Sequence, residues 1–284
     1  MTRRILMVPN PRRADALAAA EVAREALARN GVEATLEVGD EGVEAAIVFG
    51  GDGTMLHAAE MVRGTDAPLL GVNLGHVGFL AELEREDIAH AVDRLVSGDY
   101  EVDERGTVDV TVHHPGGGVS TGWALNEATV ERSDLRRTIE LSIAVDGHPL
   151  SSFGCDGVII ATATGSTAHA FSAGGPVMWP DVDALLMVPL AAHALFARPL
   201  VVGPRSVFGI EVLERSDADC LVVLDGARSI EVARGGRIEV RTGEHKVRLA
   251  RTSDGPFTER LVRKFALPTA GWRGARAADS SSET

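Results

Sequence analysis

Apolar residues follow two different rhythms along the chain, and the change comes near Asp103. Before it, short unbroken apolar runs alternate with longer segments of helical period. Ile5–Val8 is a strand-like run closed by Pro9-Asn10-Pro11. Ala16–Asn30 is rich in Ala, Leu, Glu and Arg at helical spacing, with Gly31 where a helix-ending glycine belongs. Val32–Val38 reads as a strand and Ala45–Phe49 as a buried strand; Thr54–Arg63 reads as a helix ended by Gly64. Leu69–Val72 is another buried strand and Asp87–Val96 another helix. Strands alternating with helices predict a parallel sheet flanked by helices.

From Asp103 to about Val247 the pattern becomes many short runs of Val, Ile and Thr, with turn signals between them: Pro115-Gly116-Gly117-Gly118, Asp146-Gly147, Gly203-Pro204, Asp225-Gly226, Gly235-Gly236. That is the signature of an all-β domain. Helical pattern returns at Thr258–Phe265, after Asp254-Gly255-Pro256, and the polar residues from about Arg273 read as a disordered tail. The expected organisation is an α/β domain over 1–103, an all-β domain over 104–252, a helical segment over 253–272 and a tail over 273–284.

Composition narrows the partners. With 284 residues the chain holds one large domain or two modest ones, and 45% hydrophobic with 24% charged residues is ordinary for a globular protein in water. A net charge of -13 repels nucleic acid and anionic membrane surfaces, so neither is expected as a partner. Two cysteines, Cys155 and Cys220, make no disulfide framework and fit a reducing compartment. The longest apolar stretch, Ala184–Val202, contains Pro189, His193, Arg198 and Pro199, a poor bilayer span. Arg3 and Arg4 precede an apolar run too short for a signal peptide. The expected location is the cytoplasm.

Three stretches carry candidate chemistry. Gly50-Gly51-Asp52-Gly53-Thr54 lies between a buried strand and a helix. Its glycines let backbone approach a ligand, and the helix start offers unpaired N–H groups to phosphate. A carboxylate there repels phosphate, so Asp52 makes sense as a metal ligand or as acceptor of a proton from an attacking hydroxyl. Leu125-Asn126-Glu127 places a polar pair in β-rich sequence, either a site for a metal or ribose or an exposed strand end. Gly154-Cys155-Asp156-Gly157, a buried run and then Thr162 to Pro176 crowd small hydroxyl residues around glycine, which suits a flat polar ligand such as a nucleoside. Neither of the two lysines, Lys246 and Lys264, precedes Ser or Thr, so there is no Walker A loop; a G-x-G-x-x-G fingerprint after a strand and a zinc-binding His-Glu-x-x-His are also missing.

Taken together these motifs resemble the NAD kinase family along nearly the whole chain. They are Gly-Gly-Asp-Gly-Thr, Asn73-Leu74-Gly75-His76-Val77-Gly78-Phe79-Leu80, Asn126-Glu127, Asp156-Gly157, the Thr164–Pro176 loop and His193-Ala194-Leu195-Phe196-Ala197-Arg198-Pro199-Leu200. The first is shared with diacylglycerol and sphingosine kinases; the others are more specific. The resemblance implies a Rossmann-like α/β N-terminal domain, a β-sandwich-like C-terminal domain, a helix after Gly255 packed back on the first domain, and NAD bound in the cleft between the domains. It implies phosphoryl transfer to the 2′-hydroxyl of the adenosine ribose of NAD, giving NADP. The donor is ATP, another nucleoside triphosphate or polyphosphate, and a divalent metal, Mg²⁺, is held mainly by donor phosphates.

Residue by residue, Asp52 matches the catalytic base, and Gly50, Gly51, Gly53 and Thr54 the phosphate loop. Asp52 and Gly53 match loop positions at the ligand, His57 stands one helical turn on, where the family often has a basic residue near phosphate, and Phe79 looks like the aromatic beside adenine. Asn126 and Glu127 match the pair that holds the nucleoside, and Asp156 the carboxylate near the nicotinamide riboside. Thr164, Thr167, Ala168, His169, Ala170, Phe171 and Ser172 match the loop lining the same pocket, and Ala191 a position before His193. The chain departs from the family pattern at several places: Ala163 stands for its proline and His169 for its tyrosine, Leu190-Ala191-Ala192 is less polar than the family version, and Arg105-Gly106-Thr107 lacks the usual Leu after the Arg. The family also implies a homodimer or homotetramer. A lipid kinase of the same superfamily and a non-catalytic NAD-binding sensor are the alternative readings.

Overall fold

The computed structural model describes residues 3–40, 42–75, 78–81, 83, 87–252 and 255–269. The expected tail over 273–284, Asp254, and His76 and Val77 of the 73–80 motif lie outside these residues. The chain divides into two compact units: Met1–Asp103 together with the chain from Leu249 onward, and Glu104–Arg248.

In chain order the first unit opens with β1 (Arg4–Pro9), α1 (Ala14–Arg29), β2 (Glu33–Thr35), β3 (Ala45–Phe49), α2 (Asp52–Met61), β4 (Leu69–Val72), α3 (Ile88–Ser97) and β5 (Glu101–Arg105). The second runs through β6 (Val108–His113), β7 (Val119–Ala124), β8 (Glu127–Arg132), β9 (Ile139–Val145), β10 (His148–Cys155) and β11 (Gly157–Ala161). After the short α4 (His169–Ser172) come β12 (Leu185–Leu190), β13 (Leu200–Val202), β14 (Phe208–Val212), β15 (Cys220–Leu224), β16 (Arg228–Val232) and β17 (Arg237–Thr242). β18 (Val247–Arg251) leads back into the first unit, where α5 (Phe257–Phe265) follows.

The first sheet has the order β2-β1-β3-β4-β18-β5, and β2, β1, β3, β4 and β18 pair in parallel. Ile5, Met7, Ile47, Phe49, Leu70 and Val72 share one core with Ala19, Ala23 and Leu27 of α1 and Ile88, Val92 and Leu95 of α3. The residues between them, Leu6, Val8, Ala46, Val48 and Leu69, are buried as well, so both faces are covered and the strands read as unbroken apolar runs. Met55 of α2 closes on Gly71, where a Cβ would stand 2.8 Å from its sulfur. The strand expected over Val32–Val38 shrinks to three residues, paired on one side with β1, and Leu36 is exposed. In α5 the rings of Phe257 and Phe265 lie 5.7 Å and 6.0 Å from that of Phe79.

The second unit holds two six-stranded sheets, β10-β9-β14-β17-β6-β7 and β13-β12-β11-β8-β15-β16, antiparallel throughout. Inward residues of both, among them Val110, Ile143, Phe208 and Ile238 from the first and Val130, Ile160 and Val222 from the second, form one core, the arrangement of a β-sandwich. The outer face of the second sheet carries a smaller core of Ile159, Ala161, Ala170, Met178, Leu186 and Val188. Among the described residues no helix is long and apolar enough to cross a membrane.

Candidate active site

In the first unit the chain leaves β3 at Phe49, turns through Gly50 and Gly51, and enters α2 with Asp52 in its first turn. The first N–H to donate back into the helix is that of Thr54, to Gly51 O at 2.9 Å, so the amides of Asp52 and Gly53 belong to its open, electropositive end. Gly53 and His57 are exposed and stand four residues apart on one face of α2.

Asp52 does not swing freely. Its Oδ1 accepts the N–H of Phe79 at 3.1 Å and of Leu80 at 3.0 Å, and its Oδ2 shares the Phe79 N–H at 3.1 Å. Oδ2 therefore keeps more acceptor capacity than Oδ1, and it is the oxygen suited to a substrate hydroxyl. Gly78 makes the approach possible: a Cβ there would stand 2.5 Å from Asp52 Oδ1. Arg251 braces the same segment, donating to Leu80 O at 3.2 Å while its fork grips Asp103 at 3.0 and 3.1 Å. The Phe79 ring is 6% exposed and packs against α5; its backbone N–H is what reaches Asp52.

In the second unit the polar pair opens β8. Asn126 and Glu127 are 8% and 7% exposed, so they are no solvated strand end. Thr162 holds their backbone from one side, its hydroxyl donating to Leu125 O at 2.7 Å and its N–H to Asn126 O at 2.9 Å. Gly165 lies so close that a Cβ would stand 2.8 Å from Asn126 Cα and collide with its carbonyl.

The hydroxyl-rich loop is more structured than a Gly/Ser loop. Gly165–Thr167 forms a 3-10 turn that runs into α4. Ser166 is fully buried, donating to Ala163 O at 2.7 Å and accepting from Met178 N at 2.9 Å, which shapes the turn. Thr164 is buried, Thr167 and Ala168 are partly buried, and His169, Phe171 and Ser172 are exposed. Ala170 points the other way, into the small core on the outer face of its sheet. Asp156, between β10 and β11, forms an ion pair of 2.7 Å with Arg132. Asp156 also donates its N–H to Leu190 O at 3.0 Å, which puts it beside Ala191, an exposed residue with φ of 47°.

Three partners were not read from the sequence: Asp225, Arg132 and Arg251. Asp225 counted only as a turn signal, although its carboxylate accepts the N–H groups of Leu125 and Asn126 at 2.9 and 2.7 Å. The arginines carry no local signal, since their partners are remote in sequence. Among the described residues no three His, Cys, Asp or Glu side chains gather as a metal cage.

Glu127 has an unusual carboxyl. It accepts the backbone N–H of His169, while its Oε2 is buried without a partner. Burial first, then the neighbouring Asp225 carboxylate, pushes it up from 4.5 to about 8, with Glu131 adding to the rise. At neutral pH it carries its proton. The folded chain thus holds a proton that the unfolded chain releases between 4.5 and about 8, so stability from this group falls as pH rises across that window. Thermal melts should show wild type losing Tm relative to Glu127→Gln from about pH 5 to about pH 8.5. Parallel curves would mean that Glu127 is ionised in the fold.

Comparison with known proteins agrees along the chain. Residues 7–100 match the model of the ATP-NAD kinase N-terminal domain and residues 125–252 that of the ATP-NAD kinase C-terminal domain. NAD kinase 2 of Streptomyces avermitilis is 57% identical, covering 83% of this chain and 78% of its own. The NAD kinase of Thermobifida fusca is 49% identical, covering 99% of this chain and 94% of its own. Among solved structures, an NAD kinase from Archaeoglobus fulgidus in complex with ATP superposes with a TM-score of 0.72 at 26% identity, covering 94% of this chain and 98% of that one. Yeast NADH kinase complexed with NADH shares the fold, with a TM-score of 0.86 at 20% identity over 94% of this chain and 88% of that one. On the two domain models and these identities, the chain belongs to the NAD kinase family.

Proposed function

We infer that this chain transfers a phosphoryl group from ATP to the 2′-hydroxyl of the adenosine ribose of NAD, giving NADP. The observation that carries the reading is the Asp52 carboxylate, fixed by two backbone amides at the phosphate-binding start of α2. A group that only bound phosphate would not be negative. Asp52 Oδ2 takes the proton of the 2′-hydroxyl as that oxygen bonds to the γ-phosphorus, and the bond from phosphorus to the ADP oxygen breaks. General base help of this kind is worth roughly 10²- to 10⁴-fold. Gly50, Gly51, Gly53 and Thr54 give the phosphates a close backbone approach, and positioning with charge neutralisation does the rest.

In this reading Asn126 and Glu127 hold the nucleoside, and the protonated Glu127 carboxyl offers a donor as well as an acceptor. Asp156, with Thr164, Thr167, Ala168, His169 and Ser172, serves the nicotinamide half. A divalent ion that arrives with the triphosphate would be held mainly by the phosphate oxygens. When bound, that ion neutralises charge on the transferring group. The exposed apolar side chains of Phe171, Trp179, Leu195 and Phe196 support a homo-oligomer. The reading is tested with NAD lacking the adenosine 2′-hydroxyl, which should bind and remain unphosphorylated; a phosphorylated product from that analogue would overturn it.

A further inference from the structure

Asp225-Gly226 is a hairpin turn in fact as in sequence. Asp225 (φ 51°) and Gly226 (φ 66°) hold its two central positions between β15 and β16, and Ala227 N–H donates to Leu224 O at 3.1 Å. A type I′ turn needs positive φ at both, which Asp tolerates and Gly adopts freely. Such a turn places no demand on the carboxylate, which would ordinarily face water. Here the side chain is 2% exposed.

It is buried against the start of β8, about a hundred residues earlier in the chain. Oδ2 accepts Leu125 N–H at 2.9 Å and the Arg228 guanidinium at 3.2 Å. Oδ1 accepts Asn126 N–H at 2.7 Å and, more weakly, Glu127 N–H at 3.4 Å. Asp225 N–H returns to Glu127 O at 3.0 Å. Arg228 itself lies over the Trp123 ring, 4.8 Å from its centroid. Every group hydrogen-bonded to the carboxylate is a donor, which favours its ionised form, while burial pushes its carboxyl up from the usual range. Thr162 grips the carbonyls of Leu125 and Asn126 while Asp225 grips the amides, so the peptide is fixed on both sides.

We propose that Asp225 is a positioning residue for NAD: its buried carboxylate, braced by Arg228, clamps the successive amides of Leu125, Asn126 and Glu127 and so fixes the two side chains that hold the nucleoside. This rests on the reading of Asn126 and Glu127 given above. Asp225→Asn keeps the size and turns an amide NH₂ toward N–H groups that need an acceptor.

The test is a mutant cycle on the full chain with Asp225→Asn, Asn126→Ala and the double variant. For Asp225→Asn, KM for NAD should rise roughly tenfold or more, the scale of hydrogen bonds to a charged acceptor, with kcat and KM for ATP within about threefold. Simple unfolding would lower kcat and leave both KM values alone. The double variant should be little worse than the worse single one, because both act through one contact. If Asn126→Ala raises KM for NAD and Asp225→Asn does not, or if the two effects multiply in full, the proposal is overturned. If Asn126→Ala leaves KM for NAD unchanged, the ligand reading of the pair fails instead. The clamp is then judged by amide hydrogen exchange at Leu125–Glu127, which should quicken in Asp225→Asn; unchanged protection overturns it. Should Asp225→Asn not fold, Arg228→Gln, which keeps the carboxylate and removes its brace, should raise KM for NAD about threefold, and no rise overturns the proposal.

Discussion

Asp52→Asn protein is expected to fold, to bind NAD, and to turn over at least about a hundredfold more slowly than wild type. The substitution keeps the size and the acceptor oxygen. The asparagine can still take the Phe79 and Leu80 amides on one oxygen, as Oδ1 does now at 3.1 and 3.0 Å. What it loses is the oxygen with acceptor capacity to spare, and with it the base. An interaction made only in the transition state lowers kcat and kcat/KM together. A fall in kcat with KM for NAD nearly unchanged is the pattern to look for in steady-state kinetics. Retention of more than about a tenth of wild-type kcat would remove Asp52 from the role of base, since such help supplies at least about a hundredfold.

Gly165→Ala is expected to damage the second unit as severely, by another route. The added Cβ would stand 2.8 Å from Asn126 Cα and overlap the Asn126 carbonyl. Both sides of that clash are backbone, so no side-chain rotation relieves it. Either the 3-10 turn at Gly165–Thr167 or the start of β8 must shift. Overpacking of this kind costs about 1–3 kcal/mol, or roughly 2–12 °C in Tm at this size. The displaced groups are those assigned to NAD, so KM for NAD should rise at least about tenfold, since displacements near 1 Å cost on the order of a hundredfold. Thermal melts and NAD titration decide it: a melting curve and KM like those of wild type would show that this approach is not tight in solution.

The architecture was largely legible because its signals are local. Unbroken apolar runs at Ala45–Phe49 and Leu69–Val72 mark strands buried on both faces, and alternation across the β-rich half marks strands with one inward face. Gly-Gly-Asp-Gly-Thr stands out in the sequence because a carboxylate in a glycine-rich turn that opens a helix conflicts with an anion-binding reading unless it does chemistry. What the pattern could not carry were contacts between distant segments. Asp225 looks like any Asp-Gly turn until β8 is placed beside it. Phe79 offers an aromatic ring for a base, yet the ring packs against Phe257 and Phe265, and its amide is the group that reaches Asp52. In the loop after β11, one turn of helix sends Ala170 inward and its neighbours His169 and Phe171 outward, a sorting that small residues do not announce. Val32–Val38 has strand composition, but with β1 alone as partner it pairs for only three residues.

The most direct test of the central claim is the position of the new phosphate. Purified protein is incubated with NAD, ATP and magnesium, and the product is examined by phosphorus and proton NMR. The account predicts a single product, NADP, phosphorylated on the 2′-hydroxyl of the adenosine ribose, formed at least about a hundredfold more slowly by Asp52→Asn. No phosphorylated dinucleotide, or phosphate on the 3′-hydroxyl or on the nicotinamide ribose, would contradict it.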